Sequence, residues 1–179
     1  DSSLSPSEVK HRANEAFFCG MQQVGFYELR HVFTRMEQAP AYRGINRVKA
    51  NTRLFSAMER FATTPNASTL YSGGLFDLRS EAIVVLTPRM PNDRYWSVQA
   101  ADHYARYFFF VGSPFTGNEP QQYLIIGPDW KGRLPPGFKG PQIVRATSNA
   151  VMITLRLAVL DARSEHEMAV AGSLVKGIT

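Results

Sequence analysis

The sequence predicts a mainly β domain, a sandwich or barrel-like roll, preceded by helical structure and closed by a short helix. Three observations carry this. From Thr69 onward the apolar residues change from a helical to a strand-like period. Short apolar runs there are separated by turn-forming clusters: Leu78-Arg79-Ser80, Pro88 to Asp93, Gly112 to Pro120 and Gly127 to Pro141. Such punctuation suits short antiparallel strands rather than a parallel α/β sheet. Helix-start patterns stand at both ends, Ser5-Pro6-Ser7-Glu8 and Ser164 with Glu167.

The 179 residues suffice for one domain with a proper core. We read residues 1–65 as a helical segment packed on a β domain of residues 66–179, together one globular unit. The apolar share of 44% and charged share of 20% are those of an ordinary globular chain, which argues against disorder beyond the ends. A formal charge of +5 is spread without a dense basic run, so a nucleic-acid partner is not expected. An anionic small ligand or an acidic partner fits this charge. No membrane-length apolar run is present, so no membrane partner is expected either.

In order along the chain, Asp1 to Leu4 is expected as a loose tail. Ser5 caps a helix, Pro6 suits its first position and Glu8 completes a capping box. Val9, Ala13, Phe17, Val24 and Tyr27 recur at near-helical spacing to about Met36. This stripe is expected to be core, with a break near Gly25 and a buried, inert Cys19. Ala39-Pro40 stops the helix. Asn46-Arg47-Val48 reads as strand-like, and Leu54, Phe55, Met58 and Phe61 as a short helix. Thr63 to Asn66 is the loop into the β region. Strands are expected near Thr69–Phe76, Ala82–Thr87, Arg94–Ala101, Tyr104–Val111, Gln122–Ile126, Gln142–Ala146 and Val151–Val159. Asp161 to Val170 closes the fold as a helix. Gly172 to Thr179 is expected to be loose or to dock outside the chain.

The histidines, His11, His31, His103 and His166, form no metal-ligand spacing, and one cysteine makes a structural zinc site improbable. Phosphate-binding glycine loops and the Gly-x-Ser-x-Gly elbow are absent from the sequence. Chemistry therefore concentrates on the strand from Arg94. Alternation puts Trp96, Val98 and Ala100 on a core face and Tyr95, Ser97 and Gln99 on the other, with His103 if no bulge intervenes. That second face either meets solvent or lines a polar pocket. Asp102 falls on the core face, where its carboxylate needs Arg106 or a turn amide. Tyr104–Val111, apolar on both faces, suits the centre of a sandwich or a surface against a partner.

Taken together, these residues resemble the bacterial domain-of-unknown-function family numbered 1254. The matching pattern is Asn66 with Thr69-Leu70-Tyr71-Ser72, Asp77-Leu78, Arg94-Tyr95-Trp96-Ser97 with Gln99, Asp102 with Tyr104, Val111-Gly112 with Thr116-Gly117, and Gly127-Pro128 with Trp130 and Gly132. At Ala67-Ser68 the chain departs from it, where the family usually carries a polar pair including Asp. The resemblance implies a jelly-roll-like β domain after helices. It also implies a companion domain, numbered 1214, that usually follows in one longer chain. Either this sequence is a piece of such a longer chain, or the two halves are separate subunits that assemble; we expect the second, a hetero-oligomer.

The functional expectation is a subunit of a cofactor-free enzyme acting on a small anionic metabolite. The resemblance suggests elimination or ring formation in bacterial natural-product biosynthesis. In that reading Arg94 binds the anion. Tyr95, Gln99 and Tyr71 orient the substrate, joined by Asn66 and Tyr104, and His103 or Asp102 transfers a proton. The alternative is a non-catalytic ligand-binding or structural partner subunit. A cytoplasmic location is expected for the enzyme, a periplasmic one after leader removal for the alternative.

Overall fold

The computed structural model describes residues 4–59 and 66–179. Helix α1 spans Pro6–Thr34. Its start is the predicted capping box: the Glu8 amide donates to Ser5 Oγ, and the Ser5 amide donates to the Glu8 carboxylate. Hydrogen bonding from Ser5 holds the Glu8 carboxyl below its usual range. The helix passes Gly25 without a break.

Seven strands follow: β1 (Thr69–Asp77), β2 (Ile83–Thr87), β3 (Trp96–Asp102), β4 (Tyr107–Gly112), β5 (Gln121–Ile126), β6 (Ile143–Arg145) and β7 (Ala150–Ala158). They form two sheets, one ordered β1-β7-β3-β4 and the other β2-β5-β6. All pairs are antiparallel except β5 with β6. Between the sheets lies the main core. Trp96, Val98 and Ala100 of β3 meet Leu70 and Phe76 of β1, Val151 to Leu157 at alternate positions of β7, and Val85, Tyr123 and Ile125 of the smaller sheet. The fold is thus mainly β and sandwich-like.

Several expectations change. The α1 stripe is not core: Val9, Ala13, Phe17, Val24 and Tyr27 are exposed, and so are Met21 and Cys19. Instead Phe26 and Phe33 are buried, against Leu75 and Met152 on the outer face of the larger sheet. Only the second half of α1 therefore has an apolar surface to rest on. Residues 53–59 form no helix among the described residues, and Phe61 and Thr63 to Pro65 lie outside them. The segment before them covers the free edge of β1. The amides of Asn46, Lys49 and Asn51 donate to the carbonyls of Leu75, Gly73 and Tyr71. This satisfies backbone groups that an open edge would leave bare.

Tyr107–Gly112 is an edge strand, not a central one, and Tyr107, Phe110 and Phe115 stand exposed beside it. Helix α2 runs Glu165–Gly177, seven residues past the predicted end, capped by Ser164. The chain end is docked rather than loose. Ile178 is buried in the core, and Thr179 exchanges backbone hydrogen bonds with Leu86 at the edge of β2.

Candidate functional site

Strand register assembles the outer face of the larger sheet in rows. Tyr71, Arg156 and Ser97 lie side by side on β1, β7 and β3. The next row is Gly73, Thr154, Gln99 and Phe110. The third, with Leu75, Met152 and Ala101, is where α1 sits down. Two rows thus remain outside the helix contact, and they hold the polar residues.

Their side chains support one another. Tyr95 Oη donates to Ser97 Oγ at 2.8 Å, and Gln99 Nε2 makes a weaker contact to the same oxygen at 3.5 Å. Ser97 is fully buried and Gln99 nearly so, whereas Tyr95 stays 37% exposed. The Arg156 guanidinium lies 5.6 Å from the centre of the Tyr71 ring, whose other neighbour is Phe55 at 5.2 Å. Gly73 has φ +138°, and a Cβ there would come within 2.0 Å of the Ile153 carbonyl oxygen. Only glycine fits, and the row is left low at that point.

Arg156 is the unusual group. It is half-buried, its Nε is buried without a partner, and no carboxylate pairs with it among the described residues. A ring face offsets about 0.5–2 kcal/mol of a cation's desolvation. That is less than an ion pair with hydrogen bonds supplies to a buried guanidinium. The two rows carry no carboxylate, imidazole or thiol. What they offer is a planar donor fork beside phenol, hydroxyl and amide groups, donors of the kind that an anion can accept from.

The other expected site residues sit elsewhere. Arg94 is buried and engaged with Glu167 through Nη1 at 2.9 Å and Nη2 at 3.2 Å, and with Asp93 through Nε at 3.3 Å. Burial works to lower its pKa, but the Glu167 and Asp93 carboxylates outweigh that and raise it. Its guanidinium ties β3 to the start of α2. Asp102 is fully buried. Its Oδ1 accepts from the amides of Tyr104 and Arg106, and its Oδ2 from Arg106 Nε and Thr147 Oγ1. Burial pushes this carboxyl up, yet the hydrogen bonds from Thr147, Arg106 and Tyr104 leave it below its usual value. The His103 ring packs against Tyr104 at 4.4 Å and against Phe26 and Tyr27 of α1. Asn66 accepts the amide and hydroxyl of Ser68 in a turn. Tyr104 is exposed, under the Arg106 guanidinium.

So Tyr71, Tyr95 and Gln99 come together, while Arg94, Asp102, His103, Asn66 and Tyr104 do not join them. Arg156 is the residue that sequence reasoning missed. Its signal was the strict alternation of Val151-Met152-Ile153-Thr154-Leu155-Arg156-Leu157, which places Arg156 opposite the core. Among the described residues no cluster of three or more His, Cys, Asp or Glu could hold a metal ion. No described helix is long and apolar enough to cross a membrane.

Comparison with solved structures shows the same fold in the VPA0106 protein from Vibrio parahaemolyticus, with a TM-score of 0.70 and 20% identity. The match covers 92% of this chain and 36% of that one, so the chain spans about a third of that relative's length. An uncharacterised protein from Burkholderia cenocepacia matches at 16% identity and a TM-score of 0.39, over 89% of this chain and 41% of its own. No curated protein matches in sequence. The sequence pattern of the proteins of unknown function called DUF1254 matches residues 45–179, which include β1 to β7 and all of α2, and the chain belongs to that family.

Proposed function

We propose that the outer face of the larger sheet binds a small anionic metabolite, with Arg156 as its anchor. The single observation behind this is the half-buried guanidinium with no carboxylate partner among the described residues, set between Tyr71 and Ser97. An arriving carboxylate or phosphate would supply the missing charge, and Tyr71 and Tyr95 would orient it.

In the same reading the chain is one subunit of a hetero-oligomer with a protein that carries the companion domain. The exposed apolar stripe of α1 is the contact surface, from Val9 through Phe17 and Met21 to Val24. The chain exposes 11215 Å². A compact monomer of 20.1 kDa exposes about 8,700 Å². The excess, about 2,500 Å² on this one chain, would correspond to about 5,000 Å² counted over both partners, the upper part of the range of obligate interfaces. An elimination or ring-forming step would draw any carboxylate or imidazole base from that partner, because the two rows hold neither and offer only the Tyr71 phenol for proton transfer.

The test of the anion site is a titration with succinate and with inorganic phosphate, read from amide NMR signals. The expected response is saturable and localised to Ser97, Gln99, Thr154 and Arg156. Arg156→Gln should weaken it about tenfold or more, since a hydrogen bond to a charged group is worth about 1.5–3 kcal/mol. Equal affinity in the variant would sink the proposal. For the partner, Val24→Glu should release the companion protein from the natively purified complex while the strands stay folded. A natively purified homodimer would overturn that half.

A further inference from the structure

A cavity lies beyond the free edge of β1, between the end of α1 and the 39–59 segment. It encloses about 380 Å³. Val32, Ala39, Pro40, Ala41, Phe55 and Met58 give it apolar walls, and Arg43, Lys49 and Arg53 bring cations to it. Its volume is at the small end for small-molecule sites.

The charges around it do not balance. Arg53 is paired with Glu59, whose carboxyl is further held by the amide and hydroxyl of Ser56. Arg43 and Lys49 have no carboxylate among the described residues. Among the described residues Lys49 Nζ meets the carbonyls of Pro40 and Tyr42, at 3.4 and 3.2 Å. Arg43 is half-buried, donates Nη1 to the Gly73 carbonyl at 3.0 Å and rests 4.7 Å from the Phe33 ring. Its Nε is buried without a partner, and burial lowers its pKa. An unpaired, partly desolvated cation is costly, and a bound anion would remove that cost. The walls ask for the opposite chemistry, an apolar body.

We infer that this cavity is a binding site for a small amphipathic carboxylate, its head group at Arg43 and Lys49 and its apolar body against Phe55, Val32 and Ala41. The inference is independent of the Arg156 site. Arg156 does not line the cavity; it meets Tyr71, whose ring neighbour Phe55 does line it.

Octanoate is the probe, added to the whole protein and followed by calorimetry and by amide NMR. Saturable binding with shifts at Ala41, Arg43, Lys49 and Asn51 is expected. Ala39→Phe, which fills the cavity and leaves the cations in place, should abolish it. Lys49→Ala, at an exposed position that does not threaten folding, should weaken it about tenfold. Arg156→Gln should leave it unchanged, which separates this site from the sheet face. Butanoate should bind at least tenfold more weakly, because it lacks most of the apolar body. Unsaturable octanoate binding overturns the inference, and so does full affinity in a folded Ala39→Phe protein. A loss of octanoate binding in Arg156→Gln would also overturn it, by placing the carboxylate on the sheet.

Discussion

Replacing Asp102 by Asn asks whether this buried carboxylate is structural. The wild-type carboxylate takes 2.8 and 3.0 Å bonds from the Tyr104 and Arg106 amides on one oxygen. On the other it takes 2.9 Å from Arg106 Nε and 2.8 Å from Thr147 Oγ1. The asparagine keeps Oδ1 for the two amides, but as a neutral acceptor, which roughly halves each bond. Its Nδ2 then faces the other donors. Thr147 can rotate its hydroxyl to accept, whereas a guanidinium has no acceptor to offer. Arg106 is 64% exposed and can swing into water, so its screened pair adds at most about 1 kcal/mol. With hydrogen bonds to charged groups worth about 1.5–3 kcal/mol each, the whole change costs about 3 kcal/mol. For a chain of this size that lowers the melting temperature by about 6–12 °C.

Urea unfolding measures the change directly. The pH dependence supplies a signature. The folded-state carboxyl lies below its ordinary 3.8, so its stabilisation is present above that value and is lost as pH falls through the depressed one. The Asn variant should therefore show a shallower acid limb. A loss below about 1 kcal/mol, or an acid limb as steep as wild type, would refute the reasoning; a cost under 1 kcal/mol is within reach of an ordinary surface site.

Two further outcomes concern other structural ties. Glu167→Gln leaves Arg94, with 4% of its side chain exposed, facing only the solvent-exposed Asp93, and should cost about 3 kcal/mol by urea unfolding. Arg94→Leu combined with Glu167→Leu should cost less than the two single changes added together, because neither charge is stranded. Gly73→Ala should cost at least about 3 kcal/mol and lower the hydrogen-exchange protection of β1, since both its φ and the Ile153 carbonyl oppose a Cβ.

The strands were legible because each is bounded by its own turn chemistry. Thr69 to Asp77 ends where Asp77 Oδ1 accepts the Arg79 amide, and Thr87 is followed at once by Pro88. The start of α1 was legible because a capping box is local: Ser5 and Glu8 need nothing beyond themselves. What the helix touches was not legible. Phe17 and Val24 carry the same periodicity as Phe26 and Phe33, and only tertiary placement decides which of them meets Leu75. Cys19 misled for the same reason, since its aromatic neighbours are themselves exposed. In the site, alternation placed Tyr95, Ser97 and Gln99 together. The row mates Tyr71 and Arg156 needed the register of strands far apart in sequence. Arg94 looked like a free anion anchor because its partner, Glu167, lies in the closing helix.

The strand order also sets a timetable. β7 lies between β1 and β3, so the first and last strands of the domain are direct neighbours. The larger sheet cannot close during synthesis until residues 150–158 have left the ribosome. Until then β1 waits with its apolar face bare, and the β3–β4 hairpin is the one adjacent pair of that sheet able to form early. Closure entropy for so distant a pairing is spent before any core contact returns it. Refolding should accordingly be slow, on the order of milliseconds to seconds. Substitutions in β7 should retard it more than equally destabilising ones in α1, which joins a sheet already made.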